Sequence, residues 1–370
     1  MANSTNRVGI LGGGQLGLML GQAAHGLGLE VCFVDPSADA CAGQVGPVTV
    51  VPWEDHATIR AATADCTVAT YEWEGVPAQL IESLDVPVVP GKRSLQTSQD
   101  RLLEKQCFEL LGIGTAPYRA VNDAESLSDA IHALGAPGIL KTRSGGYDGK
   151  GQIRVPFGAG SLEANQAWND LQSPSIYERM IEFDFEFSII LVRDRNGDIA
   201  TYDPIQNEHA NGILRLSRLP APLSHGVAAG ARDAAVTLAE HLDHVGVLTL
   251  ECFATPDGFL ANEFAPRVHN SGHWSIEGAE ASQFEQHLRA VIGLPLGETT
   301  TNAAAIAMRN CIGRMPDPSS IVAVSGATLH DYGKLPRTAR KVGHVTVTAT
   351  TEAELEHALV SLDACIQDDG

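Results

Sequence analysis

A short apolar run from Arg7 to Leu11 ends in Gly12-Gly13-Gly14, after which Gln15 to Leu27 carries helical periodicity and Leu29 to Asp35 returns to strand character. A strand, a tight turn, a helix and a second strand in this order close as a right-handed βαβ crossover with the two strands parallel. Parallel strands need cover on both faces, so the chain is committed to an α/β architecture from its first elements. Val48 to Val51 and Thr67 to Thr70 supply further strand-like runs, and Val86 to Gly91 closes a first domain expected to end near Ser98.

With 370 residues the chain exceeds one ordinary hydrophobic core and suits two or three domains. Gln99 to Leu111 reads as a single charged helix, and the loop Gly112 to Tyr118 leads into a small separate lobe. The strand Gly138 to Lys141 runs into Arg143-Ser144-Gly145-Gly146-Tyr147-Asp148-Gly149-Lys150-Gly151, a stretch whose glycine content predicts mobility. Ser175 to Ile181 and Phe183 to Val192 read as strands with acidic residues interleaved, and Val227 to His241 as an alanine-rich helix. Val245 to Cys252 and Phe259 to Phe264 are strands joined by the turn Thr255-Pro256-Asp257-Gly258. From about Ala303 a small β-rich unit runs through Val347 and ends in a helix.

A formal net charge of −20 argues against a protein that coats nucleic acid, which needs surplus Lys and Arg on one face. It leaves room for a small anionic substrate, because a few local cations dominate within a Debye length. The seven cysteines are scattered, without a CxxC pair or zinc-like spacing, and read as reduced thiols. The expectation is no signal peptide, no membrane span and a cytoplasmic location.

The hairpin carries the strongest local inference. If its turn centres near Asp257, facing residues have numbers summing to roughly 513 or 514, and Glu251 and Glu263 then lie opposite each other on one face. Two facing carboxylates repel unless a cation lies between them, and Mg²⁺ shared with nucleotide phosphates is the economical explanation. A longer turn that sends one Glu to solvent is the alternative. Lys141, ending an apolar strand, calls for an anionic partner, and the following glycine-rich loop offers backbone N–H groups to a triphosphate or forms a plain surface turn. The run Ala265-Pro266-Arg267-Val268-His269-Asn270-Ser271-Gly272-His273 is dense in donors, suited to a phosphate, a sugar or a helix cap.

Gly12 to Gly17 fits GxGxxG spacing, with Asp35 near the place of a ribose-binding acid, and this turn suits a dinucleotide or any phosphomonoester. Glu72 and Glu74 alternate along a strand end, so one of them at most is expected to face a given pocket. Asn207 and His209 are polar edge candidates, and Arg340-Lys341 with His344 forms either a phosphate contact or a solvated basic turn.

Taken together, these pieces resemble the N5-carboxyaminoimidazole ribonucleotide synthetase family of the ATP-grasp superfamily over nearly the whole length. The resemblance rests on Gly12-Gly13-Gly14-Gln15-Leu16-Gly17, Gln99-Asp100-Arg101, Lys141 with Gly145 to Gly151, Asn262-Glu263 with Ala265 to His273, and Arg340 to His344. It implies an ATP-grasp fold with a Rossmann-like pre-ATP-grasp domain over 1–98, an ATP-grasp domain over 99–300 with a mobile lid at about 118–184, and a small β-rich domain over 301–370. The homodimer is the form it implies.

By position, the resemblance implies that ATP is held by Arg101, Lys141, Gly146, Tyr147, Asp148, Gly149, Lys150, Gly151, Gln152, Glu178, Arg179, Met180, Ile181, Glu186, His209, Asn262 and Glu263, with Mg²⁺ (or Mn²⁺) on Glu251 and Glu263. It implies that Gln15, Leu16, Glu72, Tyr147, Arg267, His269, Asn270, Ser271, Arg340 and Lys341 face aminoimidazole ribonucleotide, and that Tyr147, Lys150, Arg267 and Lys341 act on bicarbonate-derived carboxyphosphate. Lys150 and Leu18 stand where members often carry Arg. Three other readings compete: a ligase activating formate or another carboxylate, a nicotinamide-dependent oxidoreductase built on the Gly12 turn, and a nucleotide-binding subunit without turnover.

Overall fold

The computed structural model describes residues 6–146 and 151–366. The first unit is a four-stranded parallel sheet ordered β3-β2-β1-β4, from β1 (Arg7–Leu11), β2 (Glu30–Asp35), β3 (Val48–Val50) and β4 (Val68–Tyr71). Its helices are α1 (Gln15–Gly26), α2 (His56–Thr63), α3 (Ala78–Ser83) and α4 (Lys92–Gln99). The chain leaves β1 toward β2 and returns to the other side of β1 as β4, so the strand order switches between β1 and β4. Open α/β sheets take their ligands in the crevice beyond the carboxyl ends of the strands at such a switch. Gly12 and Glu72 follow the last residues of those two strands.

The expected helix from Gln99 to Leu111 is present as Arg101–Leu110, and α4 ends just ahead of it. Asp100 adopts an extended conformation and its carboxylate accepts from the N–H groups of Leu102 and Leu103, capping α5 (Arg101–Leu110) and ending α4 one residue earlier. Arg143 holds the same carboxylate.

A four-stranded antiparallel sheet ordered β5-β8-β6-β7 follows, from β5 (Tyr118–Val121), β6 (Gly138–Thr142), β7 (Gln152–Val155) and β8 (Ser175–Arg179), with α6 (Ala124–Leu134) and α7 (Ser161–Leu171). Val121, Leu127, Ile131, Leu140, Val155 and Tyr177 give this sheet a core of its own. The segment Met180 to Asp184 then crosses to the largest sheet.

That sheet has nine strands, with path β14-β13-β9-β11-β12-β15-β17-β16 and β10 beside β9. It comprises β9 (Phe185–Arg193), β10 (Ile199–Thr201), β11 (Ile205–Ala210), β12 (Ile213–Leu219), β13 (Gly246–Thr255), β14 (Gly258–Ala265), β15 (Ala305–Ile312), β16 (Ala327–Asp331) and β17 (Lys341–Ala349). The helix α8 (His225–His241) covers the β9, β13 and β14 end, burying Ala231, Ala235, Leu238 and Ala239 against Phe187, Leu250 and Phe264. Between α8 and the last helix lie α9 (Ser275–Gly278), α10 (Gln283–Ile292) and α11 (Pro318–Val322), and α12 (Glu352–Cys365) packs Leu355, Leu359 and Leu362 on β15 and β17. Strands from the β-rich C-terminal region thus extend the central sheet through β12 to β15. The seven cysteines are unpaired.

Candidate active site

The hairpin of β13 and β14 is built as its turn dictates, then departs from it at one place. From Thr255 opposite Gly258 to Cys252 opposite Ala261 the pairs hold one register, and beyond a bulge Glu251 faces Glu263 and Leu250 faces Phe264. The extra residue is Asn262. Glu251 Oε1 lies 3.0 Å from His269 Nε2, and Glu263 is ion-paired to Arg101 at 2.7 Å. Burial alone would raise Glu263, but the charge and hydrogen bond of Arg101, with Lys141 and Lys105 behind it, hold it below the ordinary carboxylate range.

Lys141, the last β6 residue but one, does not await an external anion: it donates to Glu178 at 2.7 Å in the interior. Lys105 lies 3.5 Å from the same carboxylate. Burial would raise Glu178, yet these two cations, with Arg101, bring it down to about 2. Close by in sequence, Glu186 pairs with His209, whose proton affinity burial lowers and Glu186 raises further, for a net increase. Asn207 is buried between Ser188 and Ser217 as a sheet contact.

Across the parallel sheet's crevice, the Gly12 turn has its donors occupied. Gly13 N–H donates to Asp35 at 2.7 Å and Gly14 N–H to Glu72 at 2.7 Å. Gly12 sits at φ +107°, and a Cβ there would come within 2.7 Å of Glu72 Oε1, so glycine is required. A dinucleotide pyrophosphate needs those N–H groups and the carboxylate free for ribose, which counts against the oxidoreductase reading. Leu16 and Leu18 are buried in the core, so neither side chain reaches the crevice and Leu16 can offer only its backbone. Gln15 accepts from Lys334.

Glu72 and Glu74 were expected to diverge. Residues two apart on a strand share a face, and past the strand's end at Tyr71 the Glu72 carboxylate accepts from Gly14 N–H while Glu74 reaches Arg267, whose charge acts on both. Glu74 pairs with Arg267 at 2.9 Å and also feels Glu263, His269 and Glu251, so Arg267 and Glu74 connect the crevice to the carboxylate pair. Burial raises both glutamates.

In the donor-rich run, His269 Nδ1 and Ser271 Oγ are 2.8 Å apart, and Asn270 exchanges side-chain hydrogen bonds with Asn310 at 3.1 and 2.9 Å. Asn270 is therefore held by the sheet more than it is offered to a ligand. His273 and His344 are buried, their rings 4.9 Å apart, and His344 Nδ1 meets Tyr332 OH at 2.8 Å. Arg340 donates to the Leu335 carbonyl at 3.2 Å, next to Lys341 at the start of β17.

Gly146 ends the described part of the glycine-rich loop, Gly151 resumes it at φ +72°, and Gln152 faces Lys141 across β6 and β7. Tyr147, Asp148, Gly149 and Lys150 lie outside the described residues. Arg179 ends β8 with its N–H bonded to Pro117 O, and Met180 and Ile181 open the crossing between the two sheets, with Met180 N–H bonded to Pro137 O.

Three charged residues beyond these were missed. Glu104 and Lys105 occupy the buried face of α5, one turn before Phe108, and charges on an apolar helical stripe were the available signal. Lys334, whose charged form burial disfavours, lies over the Tyr332 ring and near Glu72, Arg340 and Lys341; a lysine after Tyr332-Gly333 carries no readable motif.

Two facing carboxylates fit a hard divalent cation that takes its remaining ligands from phosphates and water. Among the described residues no group of three or more His, Cys, Asp or Glu could cage a metal ion. The buried amide oxygen of Asn262, without a partner among the described residues, adds a further oxygen at the bulge.

This combination of a carboxylate hairpin, a separate antiparallel lobe carrying Lys141 and Glu178, and a preceding parallel sheet defines an ATP-grasp ligase. The chain matches the ATP-grasp domain over residues 106–284, the ribonucleotide synthetase preATP-grasp domain over 5–99 and the phosphoribosylaminoimidazole carboxylase C-terminal domain over 306–358. It is 42% identical to the N5-carboxyaminoimidazole ribonucleotide synthase of Pseudomonas aeruginosa, covering 98% of this chain and 99% of that one. The crystal structure of the Thermus thermophilus synthetase superposes with a TM-score of 0.93 at 44% identity over 98% of this chain and 99% of that one. The Aspergillus clavatus enzyme in complex with ADP and 5-aminoimidazole ribonucleotide superposes with a TM-score of 0.88 at 28% identity, over 98% and 99%. The chain belongs to the N5-carboxyaminoimidazole ribonucleotide synthase family, the ATP-grasp ligases that carboxylate 5-aminoimidazole ribonucleotide in purine biosynthesis.

Proposed function

We propose that this chain joins bicarbonate to the exocyclic amine of 5-aminoimidazole ribonucleotide at the expense of ATP, with its three parts meeting at the Glu251 and Glu263 pair. The observation that carries this reading is juxtaposition: the pairs Arg101–Glu263, Glu251–His269 and Glu74–Arg267 lie near one another, with Glu251 opposite Glu263 across the hairpin and Glu74 feeling the charges of Glu263, His269 and Glu251. Arg101, Lys141, the Gly146 to Gln152 loop, Glu178 to Ile181, Glu186, His209 and Asn262-Glu263 take ATP. Gln15, the Leu16 backbone, Glu72, Arg267, His269, Ser271, Arg340 and Lys341 take the ribonucleotide, with Asn270 supporting them.

Lys334 joins Arg340 and Lys341 as a third cation for the ribonucleotide phosphate, supported by its place against the Gly12 turn. Glu251 and Glu263 would hold Mg²⁺, which would supply charge neutralisation at the transferring phosphoryl group.

A bicarbonate oxygen attacks the γ-phosphorus, the bond to the β-phosphate oxygen breaks, and ADP leaves. The amine nitrogen then attacks the carbonyl carbon of the carboxyphosphate, inorganic phosphate departs, and the nitrogen loses a proton. Lys141 and Arg101 offset charge on the phosphoryl oxygens, and Arg267 orients the carboxyl group between the two sites. Tyr147 and Lys150 belong to the loop that closes over this intermediate and shields it from water. A cytoplasmic homodimer, working without nucleic acid or membrane, completes the reading; no helix among the described residues is long and apolar enough to cross a membrane.

ADP release with Mg-ATP and bicarbonate, measured with and without 5-aminoimidazole ribonucleotide, tests it. Stimulation by the ribonucleotide with loss of its free amine is expected. ATP cleavage that ignores the ribonucleotide and answers to formate would replace the reading with another carboxylate ligase.

A further inference from the structure

The pairing of Glu251 with Glu263 depends on the single extra residue in β14. Without the bulge, the register set by the turn would continue, so Glu251 would face Asn262 and Glu263 would face Leu250. Side chains alternate across a strand, so Glu263 would then take the place of Phe264 beside Leu250 and Phe187 in the α8 core, on the face away from Glu251, and Phe264 would turn out of that core. A carboxylate pair on one face exists only while the bulge is held.

β14 is an edge strand, and one short stretch holds its outer side. Lys105 Nζ donates to the Asn262 carbonyl at 2.9 Å and to Thr115 Oγ1 at 2.8 Å. Thr115 Oγ1 donates to the Ala261 carbonyl at 2.8 Å, and Ala261 N–H donates to the Gly114 carbonyl at 2.8 Å. Glu104 Oε1 accepts from Phe264 N–H at 2.7 Å. With Glu178 Oε1 at 3.5 Å, the three N–H groups of Lys105 face three acceptors, and the residue is 1% exposed. An ammonium so deep is retained where its donors do something an apolar side chain cannot.

We propose that Lys105 is a positioning residue for the metal-binding carboxylates: with Thr115 and Glu104 it clamps the Asn262 bulge that turns Glu263 onto the face of Glu251. Lys105 touches neither substrate nor cation in this role. Through Glu178 it also ties the bulge to Lys141, so the hairpin and the antiparallel lobe share one buried charge cluster. The proposal rests on the reading of Glu251 and Glu263 as the cation's ligands.

Calorimetric titration of ADP into the full chain, in Mg²⁺ and in EDTA, separates the two claims. In the unaltered protein Mg²⁺ tightens ADP binding; no tightening would overturn the metal reading itself. In Lys105→Met the ratio of the two affinities falls about 10-fold or more, the range seen when a residue supporting a ligand is lost, and hydrogen exchange at the Phe264 amide speeds up. A ratio and an exchange rate equal to those of the unaltered protein would overturn the clamp. Thr115→Val keeps every charge and decides the matter if Lys105→Met does not fold: a smaller drop in the ratio is expected, and an unchanged ratio overturns the proposal.

Discussion

Two ion pairs of similar length on the nucleotide side differ in what their loss costs the fold. Lys141 and Glu178 are both nearly sealed from water, at 11% and 6% side-chain exposure, whereas Glu263 keeps 38% of its side chain exposed beside Arg101. Removing one partner of a buried pair strands the other and costs about 3–5 kcal/mol, while a screened pair contributes about 1 kcal/mol or less. Glu178→Gln is therefore expected to lower the melting temperature strongly. Glu263→Gln is expected to leave it nearly unchanged while turnover falls about 100-fold or more, the scale of losing a main electrostatic group at a reacting phosphoryl. Melting curves and ADP-release rates on both variants check this; a cold-sensitive or poorly folded Glu263→Gln protein with full specific activity would reverse the assignment. Glu251 and Glu263 were legible in the sequence because the hairpin turn sets them opposite each other, Lys141 because it closes an apolar run, and Arg267 because it stands in a donor-rich run just after a strand. Alternation does not separate Glu72 from Glu74, because residues two apart on a strand share a face and both lie past the end of β4.

At the scale of elements, the parallel sheet and the central sheet are joined by two buried histidines. His287 on α10 accepts from Val247 N–H at Nδ1, which leaves Nε2 to donate to Thr70 Oγ1 in β4 at 2.8 Å. His244 donates from Nε2 to the Val247 carbonyl and accepts at Nδ1 from Ser94 of α4. Burial pushes His287 down from 6.5 to about 3 and His244 to about 4, so both are neutral when folded. In the unfolded chain they gain a proton below about pH 6.5. The unfolded state then binds more protons, and stability falls with pH from there toward the folded values, by about 1.4 kcal/mol per unit for each group. His273 and His344, also lowered by burial, act in the same direction, and His209, raised by Glu186, acts in the opposite one. Glu178 adds no slope in this window, since its stabilisation is complete above about pH 4.5 and is lost only on the way down to about 2. The melting temperature is expected to drop between pH 7 and 5, less steeply in His287→Gln; equal slopes would remove His287 from the account. None of this was readable beforehand, because a histidine's burial depends on which elements pack together. The bulge at Asn262 was half visible: the pairing sum allowed 513 or 514, and both occur, on either side of it.

For the whole molecule, the chief departure from a reading by domains is that the central sheet does not stop where the last domain was expected to start. β12 pairs with β15 from Leu216 opposite Arg309 to Leu219 opposite Ile306, and β15 pairs along its length with β17. Ile306 and Met308 share a core with Val192, Leu214, Trp274 and the α1 leucines, while Ala305, Ala307 and Val345 face α12. A composition shift near Ala303 marks a new unit in sequence, but strand pairing is non-local and leaves no mark on either strand alone. Cutting the chain after residue 300 would open the hydrogen-bonding edge of β12 and uncover both faces of the sheet there, an exposed edge of the kind that aggregates. It would also remove Lys334, the one side chain from this region bonded to Gln15 of the crevice among the described residues. The truncated chain is therefore expected to be insoluble, and the full chain to unfold the central and C-terminal strands in one calorimetric transition. A soluble 1–300 fragment with a native-like circular dichroism spectrum would show that the sheet is two units placed side by side, with the ribonucleotide's phosphate contacts carried on a separable part.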